Sequence, residues 1–387
     1  MPDDSGAVTV RIIDRIDQVR ADRWDACAGA SNPFVNHAFL DALESSGSVK
    51  AETGWMPQHL IVEDPAGGVL GCTPLYLKGH SYGEYVFDWG WADAYERAGG
   101  QYYPKLQSAI PFTPVTGPRL LVRPGADAAG VRATLISAMR QVAAQYGVSS
   151  LHVTFCPEPE WREFGAHDFL MREGHQYHWE NRGYDSFDDF LAALSSRKRK
   201  TIKRERREAA ACGLTVSAKT GADLRDEHWD AFYRFYRNTS DRKWGQAYLT
   251  REFFHRLGDA MADRVALILA FDGDRPVAAA LNLVGDDALY GRNWGCEDAH
   301  KFLHFELCYY RAIDFAIERR RARVEAGAQG PHKIQRGYLP VTTYSAHWVA
   351  DPALRDAVEN FLRRERQSNQ WEMATLDRHT PYRRDDG

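Results

Sequence analysis

Cysteine is scarce in this 387-residue chain: six residues, at positions 27, 72, 156, 212, 296 and 308, with no CxxC among them. That spacing argues against a zinc ribbon or a disulfide framework and points to free thiols in a reducing cytosol. Long apolar runs are missing as well, and none approaches the ~20 residues of a membrane-spanning helix. The opening stretch MPDDSGAVTVRIID lacks a basic-then-apolar signal pattern, so a soluble, cytoplasmic protein is expected. An excess of one charge is also lacking. Lys and Arg number 49 against 53 Asp and Glu, a net charge of −4, which excludes a wholly basic nucleic-acid binder and makes any basic site local. His300 and His304 are spaced as ligands on one helix face would be, but Lys301 follows His300, so the HExxH pattern is absent. No metal is expected, and the two histidines read as packing or hydrogen-bonding residues.

What is present is ordinary for a folded chain: 44% hydrophobic and 26% charged residues, in a length that suits two domains. Periodicity predicts a strand over 8–13, helices over 18–28 and 37–46, and strands over 58–63 and 69–78 joined by DPAGG, which suits a hairpin. The alternating YGEYVFDWGW predicts another strand over 82–91. Three prolines exclude a regular central strand in 106–118. A helix over 129–146, a strand over 150–155, a helix over 164–173 and a strand over 176–181 complete the first half. In the second half a helix begins near Phe187 and runs into SSRKRKTIKRERREAA. A strand over 214–218, helices over 226–238 and 249–257, and a meander over 265–272, 275–284 and 288–293 follow. A single helix is predicted over 302–320 from its apolar period. Both halves repeat one order: helices, antiparallel meander, long helix, strand. The expected fold is α/β with mixed sheets, in domains 1–180 and 181–387.

The stretch EAGAQGPHKIQRGYLP, 325–340, groups His332, Lys333 and Arg336 among Gly327, Gly330, Pro331 and Gly337. Glycines permit close backbone approach, and the cations suit phosphate or a developing oxyanion; a polar turn that only joins helix to strand is the other reading. The run Arg197 to Arg207 holds eight cations against Glu205, spread around a helix without the alternating sign of a solvated face. Either bound phosphates relieve that repulsion, or acidic residues folded nearby do. Tyr82, Tyr85, Trp89, Trp91, Tyr95, Tyr102 and Tyr103 form an aromatic band that suits either a core or an amphipathic substrate cleft. In PFTPVTGPR, 111–119, prolines stiffen irregular backbone beside Arg119, a candidate binding edge. Glu306 is either a general base near a sheet opening or a helix-surface carboxylate.

Taken together, SSRKRKTIKRERREA, FYRNTSDRKWGQAYLTREFF, LYGRNWGCEDAHKFLHFELCYYRAIDFAIERR and EAGAQGPHKIQRGYLP resemble the FemAB-like branch of the GNAT acyltransferases, as does IPFTPVTGPRLL in the first half. The likeness spans most of the chain, and the last two of the four stretches are its most specific motifs. It implies two tandem GNAT-like domains with a cleft between them. It also implies transfer of an aminoacyl group from aminoacyl-tRNA to an amine or hydroxyl of a peptidoglycan precursor or small molecule. By resemblance, Lys333 falls where Fem-type enzymes carry a lysine near the reacting centre. The candidate site is completed by Glu306 as a second catalytic residue. His332, Arg336, Tyr338, Arg119 and Tyr103 are the substrate-binding candidates, and Arg197, Lys200 and Arg204 the contacts for donor phosphates. No permanently bound cofactor is implied; aminoacyl-tRNA or acyl-CoA would serve as co-substrate.

The chain departs from the pattern of CoA-using GNAT enzymes, in which a glycine-bearing Q/R-x-x-G-x-G/A loop cradles pyrophosphate on backbone amides. CEDAHKFLHFE, 296–306, stands in that place without a glycine, and GPRLLVRPGADAAG in the first half holds no clear copy. This favours aminoacyl-tRNA as donor, although the helical-hairpin arm of some Fem-type enzymes is missing. An acyl-CoA-dependent N-acyltransferase and a non-catalytic binder of a cell-wall precursor or nucleotide sugar are the alternatives. A lysine kept in a glycine turn favours an enzyme.

Overall fold

A computed structural model of the chain describes residues 8–243, 247–327 and 330–383. The first seven residues of the opening stretch, 244–246 of FYRNTSDRKWGQAYLTREFF and 328–329 of the glycine turn lie outside the described residues, as do 384–387. The chain packs as two units. One holds the chain up to Gly174 together with Thr343–Asn369, and the other holds His175–Thr342 with the chain from Gln370 on. The sequence suggests one cut near residue 180, whereas the chain passes between the units three times.

In the first unit the elements are β1 (Thr9–Ile13), α1 (Ala21–Ala28), α2 (His37–Ser45), β2 (Trp55–Pro57), β3 (His59–Glu63), β4 (Val69–Thr73), β5 (Tyr76–Lys78), α3 (Trp89–Arg97), β6 (Lys105–Ser108), β7 (Leu121–Val122), α4 (Ala128–Tyr146), β8 (Ser150–Cys156) and α5 (Glu158–Ala166). Strands β1, β3, β4 and β7 form an antiparallel sheet in that order. Its β3–β4 hairpin closes because Asp64 Oδ1 accepts from the Ala66 and Gly68 amides at 3.0 and 2.7 Å, while Gly67 takes φ +80°. Strand β6 runs parallel to β8 and antiparallel to β5, which pairs with β2. Helix α4 starts on an Asp127 cap and stops at left-handed Gly147. It buries Leu135, Ile136 and Met139 against Leu60, Val62, Leu151 and Val153, each fully buried side chain contributing about 1.5–3 kcal/mol gross.

Strand β9 (Leu170–Glu180) leads into the second unit. There follow α6 (Phe187–Ala193), α7 (Ser196–Ala210), β10 (Thr215–Lys219), α8 (Asp226–Lys243), α9 (Arg251–Met261), β11 (Val265–Asp272), β12 (Arg275–Val284), β13 (Ala288–Cys296), α10 (Leu303–Phe305), α11 (Arg311–Glu318) and β14 (Arg323–Glu325); β15 (Leu339–Val349) then returns to the first unit, which also holds α12 (Pro352–Asp377) as far as Asn369. Strands β10 to β13 form an antiparallel meander, β14 joins parallel to β13, and β9 pairs antiparallel with β14. The mixed α/β class expected from the sequence holds.

Three local expectations are corrected. Residues 82–91 form no strand; they are irregular until α3 begins at Trp89. The reason is charge: the fully buried Lys105 ammonium draws in Glu84 and Asp88, donating to Glu84 Oε2 at 2.7 Å. The helix expected over 164–173 lies at 158–166, and the chain turns through Asp168 at φ +70° into β9. The single helix over 302–320 is broken into α10, a π-helical segment Glu306–Tyr310, and α11. Helix α12 is an addition to the expected elements. Among the described residues no helix is long and apolar enough to cross a membrane.

Candidate functional site

The site in the second unit begins where two strands part. β13 and β14 pair from Ala288 opposite Arg323 to Tyr290 opposite Glu325, where β14 ends. β13 runs on against β12 alone, and its register shifts between Ala280 and Asn282, so that Arg292 and Asn293 stand opposite Leu281. Such a bulge re-aims side chains out of the ladder. Asn282 supports the shift from inside, donating to the Ala266 and Ala280 carbonyls at 3.2 and 3.3 Å. Helix α8 closes tightly on β13 because Gly295 has no Cβ; one built there would lie 2.2 Å from the Phe235 carbonyl oxygen.

The parting leaves a pocket of about 570 Å³. Gly291 to Trp294 of β13, Ala280 to Asn282 of β12, and Tyr236, Thr239 and Ser240 of α8 form three walls. The fourth is built from His304, Cys308 and Tyr309 with Ala326, Gly330, His332 and Lys333. Two irregularities shape that wall. Phe302 holds φ +59° just before α10, a strained value for an aromatic residue, and the π segment carries Cys308 and Tyr309. Both features recur at functional sites. The described lining includes Arg292, Lys333 and two histidines but no carboxylate.

Residues Pro331–Arg336 form a 3₁₀ turn between Gly330 and left-handed Gly337. Lys333 is 5% exposed, and its ammonium donates to the Ala326 carbonyl and, at 3.2 Å, to that of Gly327. Two of its three N–H donors are thereby used. Burial lowers its pKa to about 8. The exposed His332 ring shares a 3.1 Å hydrogen bond with the Tyr309 hydroxyl. Partial burial, then the charges of Arg336 and Lys333, lower the His332 pKa and favour the neutral ring.

The other candidates are placed differently. Arg336 holds the turn in place: it grips buried Glu205 of α7 through Nε at 3.1 Å and Nη2 at 2.9 Å. Its Nη1 donates to the His332 carbonyl at 2.8 Å, and its guanidinium lies over the Phe305 ring. The Tyr310 hydroxyl donates to the same Glu205 carboxylate. Each guanidinium nitrogen of Arg336 thus makes a bond within the fold, and the side chain braces the turn against α7. Tyr338 is fully buried, donates to the Tyr309 carbonyl at 3.1 Å, and is not part of the described lining. The Glu306 carboxylate sits between Arg206 at 3.1 Å and Arg311 at 2.9 Å and is likewise no part of that lining. Arg119 and Tyr103 belong to the first unit. Arg119 is fully buried and donates to the carbonyls of Val115, Gly117, Pro118 and Thr154, a backbone strut with no free edge for a substrate. Half-buried Tyr103 hydrogen-bonds Ser81 at 2.8 Å.

On α7 the inward face is Ile202, Glu205 and Ala209, and Arg206 pairs with Asp314 at 2.6 Å. Arg197, Lys200, Arg204 and Arg207 are exposed and follow one another at helical spacing. These four of the eight cations make one outward stripe, and only the buried Ile202, Glu205 and Ala209 interrupt the charge expected around most of the helix. His304 packs on Trp294 with ring centroids 5.2 Å apart. Among the described residues no group of three His, Cys, Asp or Glu could hold a metal ion. The sequence reading assigned no role to Asn282, Arg292, Asn293, Tyr236 or Cys308. The only sequence signal for Arg292 and Asn293 was their place in LYGRNWGC.

Comparison with curated protein sequences gave no match. Among solved structures, FemX superposes with TM-score 0.55 at 12% identity, covering 88% of this chain and 98% of that one. The C-terminal domain of a putative lysylphosphatidylglycerol synthetase from Agrobacterium fabrum gives TM-score 0.54 at 8% identity, covering 89% and 95%. A conserved protein of unknown function from Bacteroides thetaiotaomicron gives 0.52 at 11% identity, covering 89% and 100%. These likenesses establish a shared fold. A family model described as FemAB-like, peptidoglycan biosynthesis/recognition, matches residues 15–384. The chain belongs to the FemAB-like family.

Proposed function

We propose that the protein is an acyltransferase that forms an amide or ester by attack of an amine or hydroxyl on an activated carbonyl, with aminoacyl-tRNA as donor. The observation that carries this reading is the Lys333 ammonium, desolvated in the wall of the pocket with one N–H beyond its two carbonyl partners. A donor carbonyl beside Lys333 would meet that N–H as its oxygen takes on negative charge, where a desolvated donor counts most. Neutral His332, close by in the same wall, suits acceptance of the nucleophile's proton. The described lining without a carboxylate suits a carbonyl or phosphate better than a ligand cation. The exposed stripe on α7 would follow the donor's phosphates.

Family membership supports an acceptor related to a peptidoglycan precursor, and FemX and the synthetase domain share the fold. The turn between Cys296 and Leu303 has no glycine to cradle pyrophosphate, which speaks against acyl-CoA. The test is incubation of the pure chain with radiolabelled aminoacyl-tRNAs and acyl-CoAs in single turnover, with and without candidate acceptors. Discharge of an aminoacyl-tRNA, slowed on the order of 10²–10³-fold in Lys333→Met, is the expected result. Discharge of acyl-CoA alone would replace the donor assignment. Tight binding of a precursor with no discharge would make the protein a binder.

A further inference from the structure

The pocket between β13 and β14 is uneven in charge, and the unevenness bears on what can sit in it. Two of its walls each carry a cation: Lys333 in the turn, and half-buried Arg292 on β13. Arg292 stands at the bulge opposite Leu281, beyond the end of β14. The wall from α8 adds the hydroxyls of Thr239 and of Ser240, the latter buried. Among the described lining residues no carboxylate answers these groups. One side chain is held the other way, as an acceptor. Asn282 spends Nδ2 on the Ala266 and Ala280 carbonyls at 3.2 and 3.3 Å, which turns its Oδ1 to the opposite side. There Oδ1 lies 3.6 Å from where a Cβ on Gly291 would stand, in the β13 wall.

We propose that the pocket takes an acidic aminoacyl group, aspartyl or glutamyl, and rejects a basic one, with Arg292 holding the side-chain carboxylate. The inference rests on the reading of Lys333 as the group that meets the donor's carbonyl. Every aminoacyl donor carries an α-amino group, and Asn282 Oδ1 is the acceptor placed for it. Donors differ in the side chain. A lysyl or arginyl side chain would enter a pocket that already holds two cations and, among the described residues, no carboxylate. A desolvated charge without an opposite partner is costly. A neutral side chain escapes that cost but makes no ion pair with the guanidinium. A carboxylate makes one, and the planar fork of Arg292 suits it in bidentate geometry. Hydrogen bonds of that charged class correspond to a preference of about 10–100-fold over an uncharged amide of the same shape.

The test uses the full chain and one tRNA body charged chemically with glutamate, glutamine or lysine, so that only the aminoacyl group differs, in single turnover with a common acceptor. Glutamyl should be discharged about 10–100-fold faster than glutaminyl, and lysyl more slowly than both. Arg292→Gln should bring the glutamyl-to-glutaminyl ratio close to one, and Arg292→Lys should keep part of it. Lysyl discharged as fast as glutamyl by the unmodified chain would overturn the proposal, and that comparison needs no variant to fold. A ratio untouched by Arg292→Gln would overturn it as well.

If no aminoacyl-tRNA is discharged, the fault lies with the donor assignment, and the charge preference is then read by binding. Glutarate and 1,5-diaminopentane are compared by thermal shift at equal ionic strength. Glutarate alone should raise the melting temperature, and Arg292→Gln should abolish the rise. A rise with the diamine, or none with glutarate, would overturn the charge preference itself.

Discussion

Replacing Lys333 by methionine should change how stability depends on pH, by an amount the structure sets. Burial lowers this ammonium from the ordinary lysine value of 10.5 to about 8. One pKa unit is worth about 1.36 kcal/mol, so the folded state carries the charge at a cost on the order of 3 kcal/mol. The folded value lies below the unfolded one, which fixes the sign. Below about pH 8 the lysine is protonated in both states, and the penalty is fully present. Between about 8 and 10.5 the unfolded chain holds the extra proton, and stability rises with pH. Lys333→Met keeps the apolar stem and has no proton to lose. Urea unfolding of both proteins should therefore show the unmodified chain gaining on the variant by about 3 kcal/mol from neutral pH to roughly pH 11, other groups cancelling in the difference. The offset at neutral pH is smaller, because the variant also loses hydrogen bonds to the Ala326 and Gly327 carbonyls, both half-buried and open to water. A difference that stays flat across this window would refute the desolvated ammonium and remove the basis for Lys333 as an oxyanion donor.

Glu205→Gln preserves shape but takes the charge from the buried pair with Arg336, whose Nη2 lies 2.9 Å away. Breaking such a pair costs about 3–5 kcal/mol, so the urea midpoint should fall, and limited proteolysis should cut faster within the Gly330–Gly337 turn; an unchanged midpoint would deny Arg336 its supporting role. Replacing Arg197, Lys200 and Arg204 together by glutamine should leave the melting temperature nearly unchanged, since all three are exposed. The same variant should lower the log–log salt slope of tRNA binding by about 2, at roughly 0.7 per lost phosphate contact, whereas an unaltered slope would make the stripe a solvated face.

The parts of the fold legible in the sequence are those fixed by neighbours along the chain. The meander β11 to β13 follows from apolar runs separated by the turns DGD and GDD, with Gly273 at φ +58° in the first of them. The stretch 82–91 alternates as a strand would, yet forms none. Its fate is set by Lys105, a residue 17 to 21 positions away that holds Glu84 and Asp88 in the interior. The broken helix after β13 was hidden for another reason. The π segment adds a residue to a turn without interrupting the apolar pattern, so Phe305, Tyr309, Ala312 and Ala316 keep a helical spacing on paper. Pocket residues Arg292 and Asn293 were out of reach because their exposure depends on where β14 stops, and a three-residue strand leaves almost no trace in a sequence.

The surroundings of the candidate site were half legible, and the difference between Lys333 and Arg336 says why. Glycine and proline marked the turn, and both cations in it were read alike, as charges awaiting a ligand. A cation in a turn says nothing of its partner, and that of Arg336 lies 131 residues upstream. A signal for it did exist in the basic run of α7. Glu205 is the acid among eight cations, and it falls three residues after Ile202 and four before Ala209, the spacing that puts all three on one face. That face is the buried one. An acid on the apolar face of a basic helix cannot be neutralised by its exposed neighbours, so it requires a buried cation from elsewhere in the fold. Of the cations in the glycine turn, the planar and permanently charged guanidinium is the one suited to that bidentate place. Lysine, which can shed part of its charge on burial, is then the cation left to face the pocket.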